Sequence, residues 1–329
     1  MCTQEYYLPS TNDSTDRTGD ILRMLEEHGA CQLGSGIYVV AGVDMPDSTS
    51  LMGVGNSTVV LLREDVTSGY AVKLGSYCRV RDMQIKGSAE RIERPEQVGD
   101  RHGIVFLGNA KLKDSPPQPR HPMISGCFLS SFTGGGITCR DTGYSSLSSL
   151  LVSDCQIVNC GAGINIAHFS EYHKFTNVLV GQCLYGCVNN GGNNVFVNCG
   201  FNSNKVGFFM DNSHGQSNNN SHGSAVGCTF NHSDNNEGIG ILAIGMRAGY
   251  MFTGCQVFFS KIVLEDCEGF IFDTFNYGRK VELHVKGGKL VMFSNSVFRG
   301  EGPDAIEIAD NSLVKFVNCY TRDGRTVGA

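Results

Sequence analysis

The sequence contains no tryptophan, and charged residues make up only 18% of its 329 positions. No run of apolar residues approaches the roughly 18 that a membrane-spanning helix needs, so no membrane span is predicted. Met1 is not followed by a basic segment and then an apolar one, so we expect no signal peptide. The net charge of −6 argues against a nucleic-acid partner, because surfaces that bind nucleic acid are basic.

The sequence also lacks the cysteine patterns of a metal site. It has 14 cysteines, but no pair of CxxC motifs and no His/Cys cluster at zinc spacing. We therefore predict no metal and no cofactor. The cysteines recur at equivalent positions beside apolar residues, which favours buried thiols packed as small core hydrophobes over disulfides.

What the sequence does have is a repeat, in which a tripeptide ending in cysteine and a strand that opens with glycine alternate along the chain. Cys127, Cys155 and Cys183 are spaced by 28 residues. A unit of this length without an amphipathic helix predicts a β-solenoid, in which each coil buries its apolar face against its neighbours. The tripeptides are SGC (125–127), SDC (153–155), VNC (197–199), VGC (226–228), TGC (253–255) and VNC (317–319), and the strand openings are GIVFLG (103–108), GITCRD (136–141), GINIAH (163–168), GFFMDN (207–212), GIGILAIG (238–245) and GFIFDT (269–274).

Two further patterns concern the turns and the core. Asparagine precedes cysteine at Asn159, Asn198 and Asn318, where it suits the left-handed backbone of a tight bend. The paired phenylalanines 208–209 and 258–259 are expected to lie in the core.

One helix is predicted, from about Gly19 to His28, capped by Asp16 or Thr18 and ended by a glycine. Such a helix can close the first coil, because an uncovered strand edge invites aggregation. We therefore divide the chain into a lead-in with a capping helix, residues 1–30, and a β-helix domain, residues 31–329.

Residues 31–62 resemble the opening of the pectate-lyase-like right-handed parallel β-helices. The resemblance implies an all-β fold, a single-stranded right-handed parallel β-helix with an N-terminal capping α-helix. That superfamily includes pectin-degrading enzymes, other polysaccharide lyases and hydrolases, and bacteriophage tailspikes, which are trimers. A polysaccharide partner and a homotrimer are therefore expected. The residues that carry the resemblance are Leu33, Gly36, Tyr38, Val40, Pro46, Leu51, Gly53, Gly55 and Thr58.

Polar residues that trail the glycine-opened strands are expected to form a column along one corner, with neighbouring coils about 4.8 Å apart. Such a column suits an extended polymer. Counted by coils, Asp141 and Glu171 are one coil apart. Glu171 and Asp211 are two coils apart, a separation that suits a general acid and a general base acting on one glycosidic bond. The catalytic candidates are Glu171 and Asp211 as an acid/base pair, supported by Asp141, His173 and His214; the substrate-binding candidates are Arg140, His168, Asn190, Arg247 and Tyr277.

Three functions remain open at this point. The first is glycoside hydrolysis by a carboxylate pair. The second is a polysaccharide lyase, with Tyr172 or His173 as base and Lys174 or Arg140 neutralising a uronate. The third is a non-catalytic glycan-binding or structural spike, made in the cytoplasm and assembled on a phage particle, or a secreted protein if a leader has been removed. The segment 211–224 is read as a solvated loop, a glycan-contacting loop or a catalytic loop.

Overall fold

The structure, a computed structural model, describes residues 6–108, 120–140, 147–168, 170–213, 222–232, 238–299 and 306–327. Its strands pair in parallel with the strands one coil before and one coil after. The chain is a right-handed parallel β-helix with one N-terminal helix, as the repeat and the resemblance predicted. It divides into two compact units, Met1–Asn165 and Ile166–Ala329, which are described separately.

The helix runs from Thr18 to His28 and buries Ile21 and Leu25. It ends at Gly29, whose left-handed backbone (φ +69°) lets its N–H donate a hydrogen bond to the Leu25 carbonyl at 2.9 Å. This is the C-terminal cap that the glycine predicted. The bounds of the helix are therefore confirmed to within one residue, but the predicted N-terminal cap is wrong: Arg17 takes the N-cap position, and its side chain makes no capping hydrogen bond.

Each coil runs through three faces, named A, B and C in chain order. In the first unit, two long strands bend from face B into face C without a break, namely Phe128–Arg140 and Gln156–Ile166. A 3-10 turn, Pro95–Gln97, and a short strand, Leu147–Ser148, lie in loops. The remaining strands are, on face A, Tyr7–Leu8, Ala30–Leu33, Ser50–Met52, Arg79–Arg81, Met123–Ser125 and Leu151–Ser153; on face B, Gly36–Val40, Thr58–Leu62 and Gln84–Lys86; and on face C, Val43–Asp44, Gly69–Lys73 and Arg101–Leu107.

The second unit repeats the same three faces with separate strands, and one short strand, Ser170–Glu171, lies in a loop after face C. The strands are, on face A, Lys174–Thr176, Asn194–Val197, Gly223–Val226, Tyr250–Thr253, Ile271–Asp273, Val291–Ser294 and Val314–Val317; on face B, Leu179–Gly181, Gly200–Asn202, Thr229–Asn231, Gln256–Phe258, Asn276–Tyr277, Val297–Phe298 and Tyr320–Thr321; and on face C, Tyr185–Asn189, Val206–Asp211, Ile239–Ile244, Lys261–Glu265, Glu282–Lys286 and Ile306–Ile308.

The bend from face A to face B is made by one residue with a left-handed backbone, followed by a buried side chain. Asn198 and Asn318 have φ of 52° and 55°, and Asn159 makes the bend from face B to face C with φ of 53°. The predicted role of these asparagines is confirmed. Some also link coils, since the Asn318 side-chain amide donates to Oδ1 of Asn295 at 2.8 Å.

The cysteines of the described part of the chain are free and buried, as predicted. Six of these thirteen occupy the position after the A-to-B bend, as Cys228 and Cys255 do. Cys183 does not: Val178 takes that position in its coil, and Cys183 follows face B instead. The segment GFIFDT also differs from the expected pattern, since its strand Ile271–Asp273 belongs to face A. Residues that are equally spaced in the sequence therefore do not always take equivalent positions in their coils, because the loops after face C differ in length.

The core of the second unit contains a ladder of phenylalanine rings on the inner side of face A. Phe175 and Phe196 stack at 4.8 Å, Phe252 and Phe272 at 5.0 Å, and Phe272 and Phe293 at 4.9 Å. These distances match the spacing of neighbouring strands in a sheet. They therefore give the rise of one coil, which sets the distances between side chains at the site.

Candidate functional site

The loops that join face C to face A in the second unit carry most of the predicted site residues. Glu171 lies in the short strand Ser170–Glu171, after the face C strand that ends at Ile166. Asp211 is the last residue of the face C strand two coils further on. Both carboxylates are half-buried at the surface. The structure therefore places the two predicted acid/base residues at the same corner, outside the core.

Asn190 connects these two residues through the coil between them. It follows the strand Tyr185–Asn189, and its side-chain oxygen accepts a hydrogen bond from the backbone N–H of Asp211 at 3.0 Å. The Asp211 carboxylate in turn accepts a hydrogen bond from the backbone N–H of Ser213 at 2.8 Å. Two hydrogen bonds thus fix the backbone and the side chain of Asp211 at the end of its strand.

The distance between the carboxylates follows from the coil rise. Two coils of about 4.8 Å each separate Glu171 from Asp211 along the axis, or roughly 10 Å. The backbone N–H of Tyr172 donates to the Gly192 carbonyl, so Glu171 is displaced along the loop by one or two residues from the column that Asn190 and Asp211 share. A retaining glycosidase needs about 5 Å between its carboxylates and an inverting one roughly 6.5–9.5 Å. The axial separation alone therefore lies at or just beyond the upper end of the inverting range, and the displacement of Glu171 along the loop adds to it.

His173 does not lie at this surface, which corrects its predicted catalytic position. Its side chain is fully buried and hydrogen-bonded through Nε2 to the Ser170 hydroxyl at 2.8 Å. Its backbone N–H donates to Oδ1 of Asn194 at 2.9 Å, and the Asn194 amide donates to Oδ1 of Asn189 at 3.0 Å. Burial lowers the pKa of His173 to about 3, so the ring is neutral near neutral pH. Its contacts hold the loop on which Glu171 lies, and its ring does not reach a polysaccharide.

Tyr277 is the second correction. It lies on face B with its ring inside the coil, 1% exposed and stacked on Phe298 with centroids 4.0 Å apart. Burial raises the pKa of its hydroxyl well above the usual value. Side chains alternate along a strand, and Asn276 takes the outward position. A substrate outside the helix therefore cannot contact Tyr277.

The remaining predicted residues are spread along the chain. His168 is half-buried in the loop before Glu171, and its Nδ1 is buried without a hydrogen-bond partner among the described residues. Arg247 is exposed in the loop after Ile239–Ile244. Arg140 is exposed and belongs to the first unit, at the end of its strand. Asp141 and His214, and most of the segment 211–224, lie outside the described residues.

Solved structures with the same fold bear names from polysaccharide chemistry. The A-module of mannuronan C-5 epimerase AlgE4 from Azotobacter vinelandii is 12% identical, with a TM-score of 0.61, over 95% of this chain and 93% of that one. The chain shares their parallel β-helix fold. The tailspike gp49 of Acinetobacter baumannii bacteriophage Fri1, a capsular polysaccharide depolymerase, is 12% identical over 96% and 64%, with a TM-score of 0.60. The catalytic domain of a GH87 α-1,3-glucanase in complex with nigerose is 9% identical over 97% and 69%, with a TM-score of 0.57.

These likenesses are structural alone. No known protein family matches the chain by its sequence profile. No curated protein matches it either. The parallel β-helix fold is therefore what the comparisons show.

The β-helix also carries a charged cluster that the sequence did not reveal. On the outer side of face C, Lys261 lies 2.8 Å from Glu282, and His284 bridges Glu282 at 3.1 Å and Glu307 at 2.8 Å. The hydrogen bond from Lys261 contributes most to lowering the pKa of Glu282. The alternation of apolar and polar residues in KIVLE and ELHVK could have indicated which side chains point outward. Which of them lie beside each other could not be predicted, because that depends on the register that pairs Lys261 with Glu282.

Among the described residues, no three His, Cys, Asp or Glu side chains are grouped so that they could hold a metal ion. Over the same residues, no helix is both long enough and apolar enough to cross a membrane.

Proposed function

We propose that this β-helix cleaves a polysaccharide by glycoside hydrolysis in a groove along the corner between face C and face A of the second unit. The observation that carries the proposal is that Glu171 and Asp211 lie at this one corner, two coils apart. In this proposal Glu171 is the general acid that protonates the leaving oxygen. Asp211, whose side chain is held by the backbone N–H of Ser213, is the general base that activates water.

The fold likenesses support the class of substrate. Two of the similar structures are named for enzymes that act on mannuronan and on α-1,3-glucan, and a third is a capsular polysaccharide depolymerase. A stacked β-helix offers repeated side chains at the spacing of one coil, which suits a polymer with a repeating unit. Asn190 and Arg247 are the binding residues that we assign to this groove, with His168 beside Glu171.

The test is incubation with bacterial capsule, cell-wall and plant polysaccharides while reducing ends and unsaturated-uronate absorbance are recorded. We expect new reducing ends without that absorbance, and at least about a hundredfold loss of rate in Glu171→Gln and in Asp211→Asn. Glu282→Gln is the matched control, because Glu282 is a half-buried carboxylate at the start of a face C strand, away from the corner that carries the pair. An equal loss in Glu282→Gln would contradict the assigned pair.

A lyase is the alternative activity, and one observation favours it. Tyr172 is 53% exposed beside Glu171 with a left-handed backbone (φ +59°), and the exposed Lys174 lies two residues further on. Tyr172 can act as base and Lys174 can neutralise a uronate. Unsaturated-uronate absorbance in the same assay, abolished in Tyr172→Phe, would replace the hydrolase by the lyase.

A glycan-binding spike of a phage particle is the second candidate function, and with it we propose a homotrimer made in the cytoplasm. An apolar surface groove on face A is lined by Ile271, Leu290, Met292 and Leu313, and Leu290 and Leu313 are 67% and 65% exposed. Exposed apolar patches of this kind mark association surfaces. Light scattering should give the mass of a trimer, and that of a monomer for the double variant Leu290→Glu/Leu313→Glu. A monomeric wild type would exclude the trimer.

A further inference from the structure

Two exposed aromatic rings lie side by side in the first unit, at the corner that precedes face A. Tyr77 and His121 each come two residues before a face A strand, Arg79–Arg81 and Met123–Ser125 respectively. Arg79 pairs with Met123 in the sheet, so the two rings belong to adjacent coils. Their centroids are 5.6 Å apart and their planes are inclined by 31°. Together they form one exposed aromatic pair, packed against each other, which we call the Tyr77 platform.

The backbone beneath the platform is of a kind that large side chains rarely adopt. Tyr77 and His121 have φ of 58° and 54°. In the coils on either side, the same position is held by Ser48 and Ser149, with φ of 63° and 68°. Tyr77 is 56% exposed and His121 is also exposed, so packing in the core does not account for either ring. Disfavoured backbone retained under exposed aromatic side chains is a feature of functional surfaces.

Arginines border the platform. The exposed side chain of Arg79 extends from the outer side of face A, and Arg120 is exposed next to His121, with its carbonyl accepting the Tyr77 N–H at 2.8 Å. Within the described residues, neither of these two guanidinium groups has a carboxylate at ion-pair distance. Arg81 is also exposed, but it lies 3.5 Å from Asp82. A basic edge on a chain of net charge −6 indicates a local preference for anions.

We propose that the Tyr77 platform binds one sugar ring of an acidic polysaccharide. A pyranose has an apolar C–H face that packs on aromatic rings and a polar rim that hydrogen-bonds. A uronate carboxylate is a planar two-oxygen group, which the fork of an arginine binds through two parallel hydrogen bonds. Tyr77 and His121 therefore supply the stacking surface, and Arg79 and Arg120 select the acidic sugar. This goes beyond the proposed cleavage, because binding here needs neither Glu171 nor Asp211.

The test is calorimetric titration with oligogalacturonate, oligomannuronate and a chondroitin sulfate fragment as acidic probes, and maltoheptaose as the neutral one. We expect at least one acidic probe to bind, and about a tenfold or greater loss of affinity in Tyr77→Asn and in Arg120→Gln. Asparagine accepts the left-handed backbone, so Tyr77→Asn should keep the fold, which urea unfolding checks. Thr274→Asn is the control: it replaces an exposed side chain on a backbone with φ of 52° in the other unit, and should leave binding unchanged.

The outcomes separate this proposal from the proposed function. Glu171→Gln should lose cleavage and keep binding at the platform, whereas Tyr77→Asn should lose binding of the short probes. Failure of all three acidic probes to bind, equal affinity for maltoheptaose, or full binding in both Tyr77→Asn and Arg120→Gln would overturn the platform. None of these results would affect a cleavage activity that depends on Glu171.

Discussion

Replacing Phe208 by alanine should lower the free energy of unfolding by about 4 kcal/mol, since truncating a buried phenylalanine costs roughly 3–5 kcal/mol. Phe208 is completely buried at the centre of the second unit. Its ring contacts five others edge-on or tilted, with centroids 5.2–6.1 Å away, in Phe196, Phe201, Phe230, Tyr250 and Phe252. The cavity would open between rings contributed by several coils, so the surrounding structure can close it only in part.

The matched control is the next residue along the same strand. Phe209 points outward, is half-buried and stacks on Tyr185 at 5.3 Å. Phe209→Ala should therefore cost only about 1 kcal/mol, the energy of one aromatic pair with partial burial. Urea unfolding followed by circular dichroism measures both. Equal losses in the two variants would contradict the assignment of Phe208 to the centre of the core.

The local features of this fold were accessible from the sequence because each depends on a single residue type. Glycine ended the helix at Gly29, and asparagine made the bends at Asn198 and Asn318, since these residues adopt a left-handed backbone at low cost. Buried thiols followed from their apolar neighbours. It was harder to predict which side chains of a strand point into the core. Phe208 lies in the core as predicted, but Phe209, Phe258 and Phe259 are half-buried.

The candidate site was predicted only in part, because its geometry depends on loops of unequal length. Asn190 directly follows one face C strand and Asp211 ends the next, so the two share a column and counting coils placed them together. Tyr277 was counted into the same column although its strand belongs to face B, since no periodicity in the sequence distinguishes the faces. The Tyr77 platform required the pairing of Arg79 with Met123, across a separation that no repeat predicted.

The free energy of unfolding should fall in acid because of His173, and the direction of this change follows from the burial of its ring. Its pKa falls from 6.5 in the unfolded chain to about 3 in the folded one, because the buried ring cannot be charged without losing its hydration. Above pH 6.5 both states are neutral and the residue has no effect. Below it the unfolded chain takes up the proton and the folded chain does not. The free energy of unfolding should then fall by about 1.4 kcal/mol per pH unit, and by about 5 kcal/mol in total near pH 3.

Urea unfolding at several pH values between neutrality and pH 4 measures this slope in the wild type, in His173→Gln and in His173→Phe. Titrating carboxylates are common to all three proteins, so the difference in slope isolates His173. Both variants should lose the part of the pH dependence that comes from His173, whatever their stability at neutral pH. If both variants kept the slope of the wild type, the assignment of this pH dependence to His173 would be contradicted. Because Ser170 and Asn194 hold the loop of Glu171 through His173, protonation of the ring should also release this loop. Acid loss of any cleavage activity through this loop is then expected only as the pH approaches the folded-state pKa of about 3, well below the pH at which stability begins to fall.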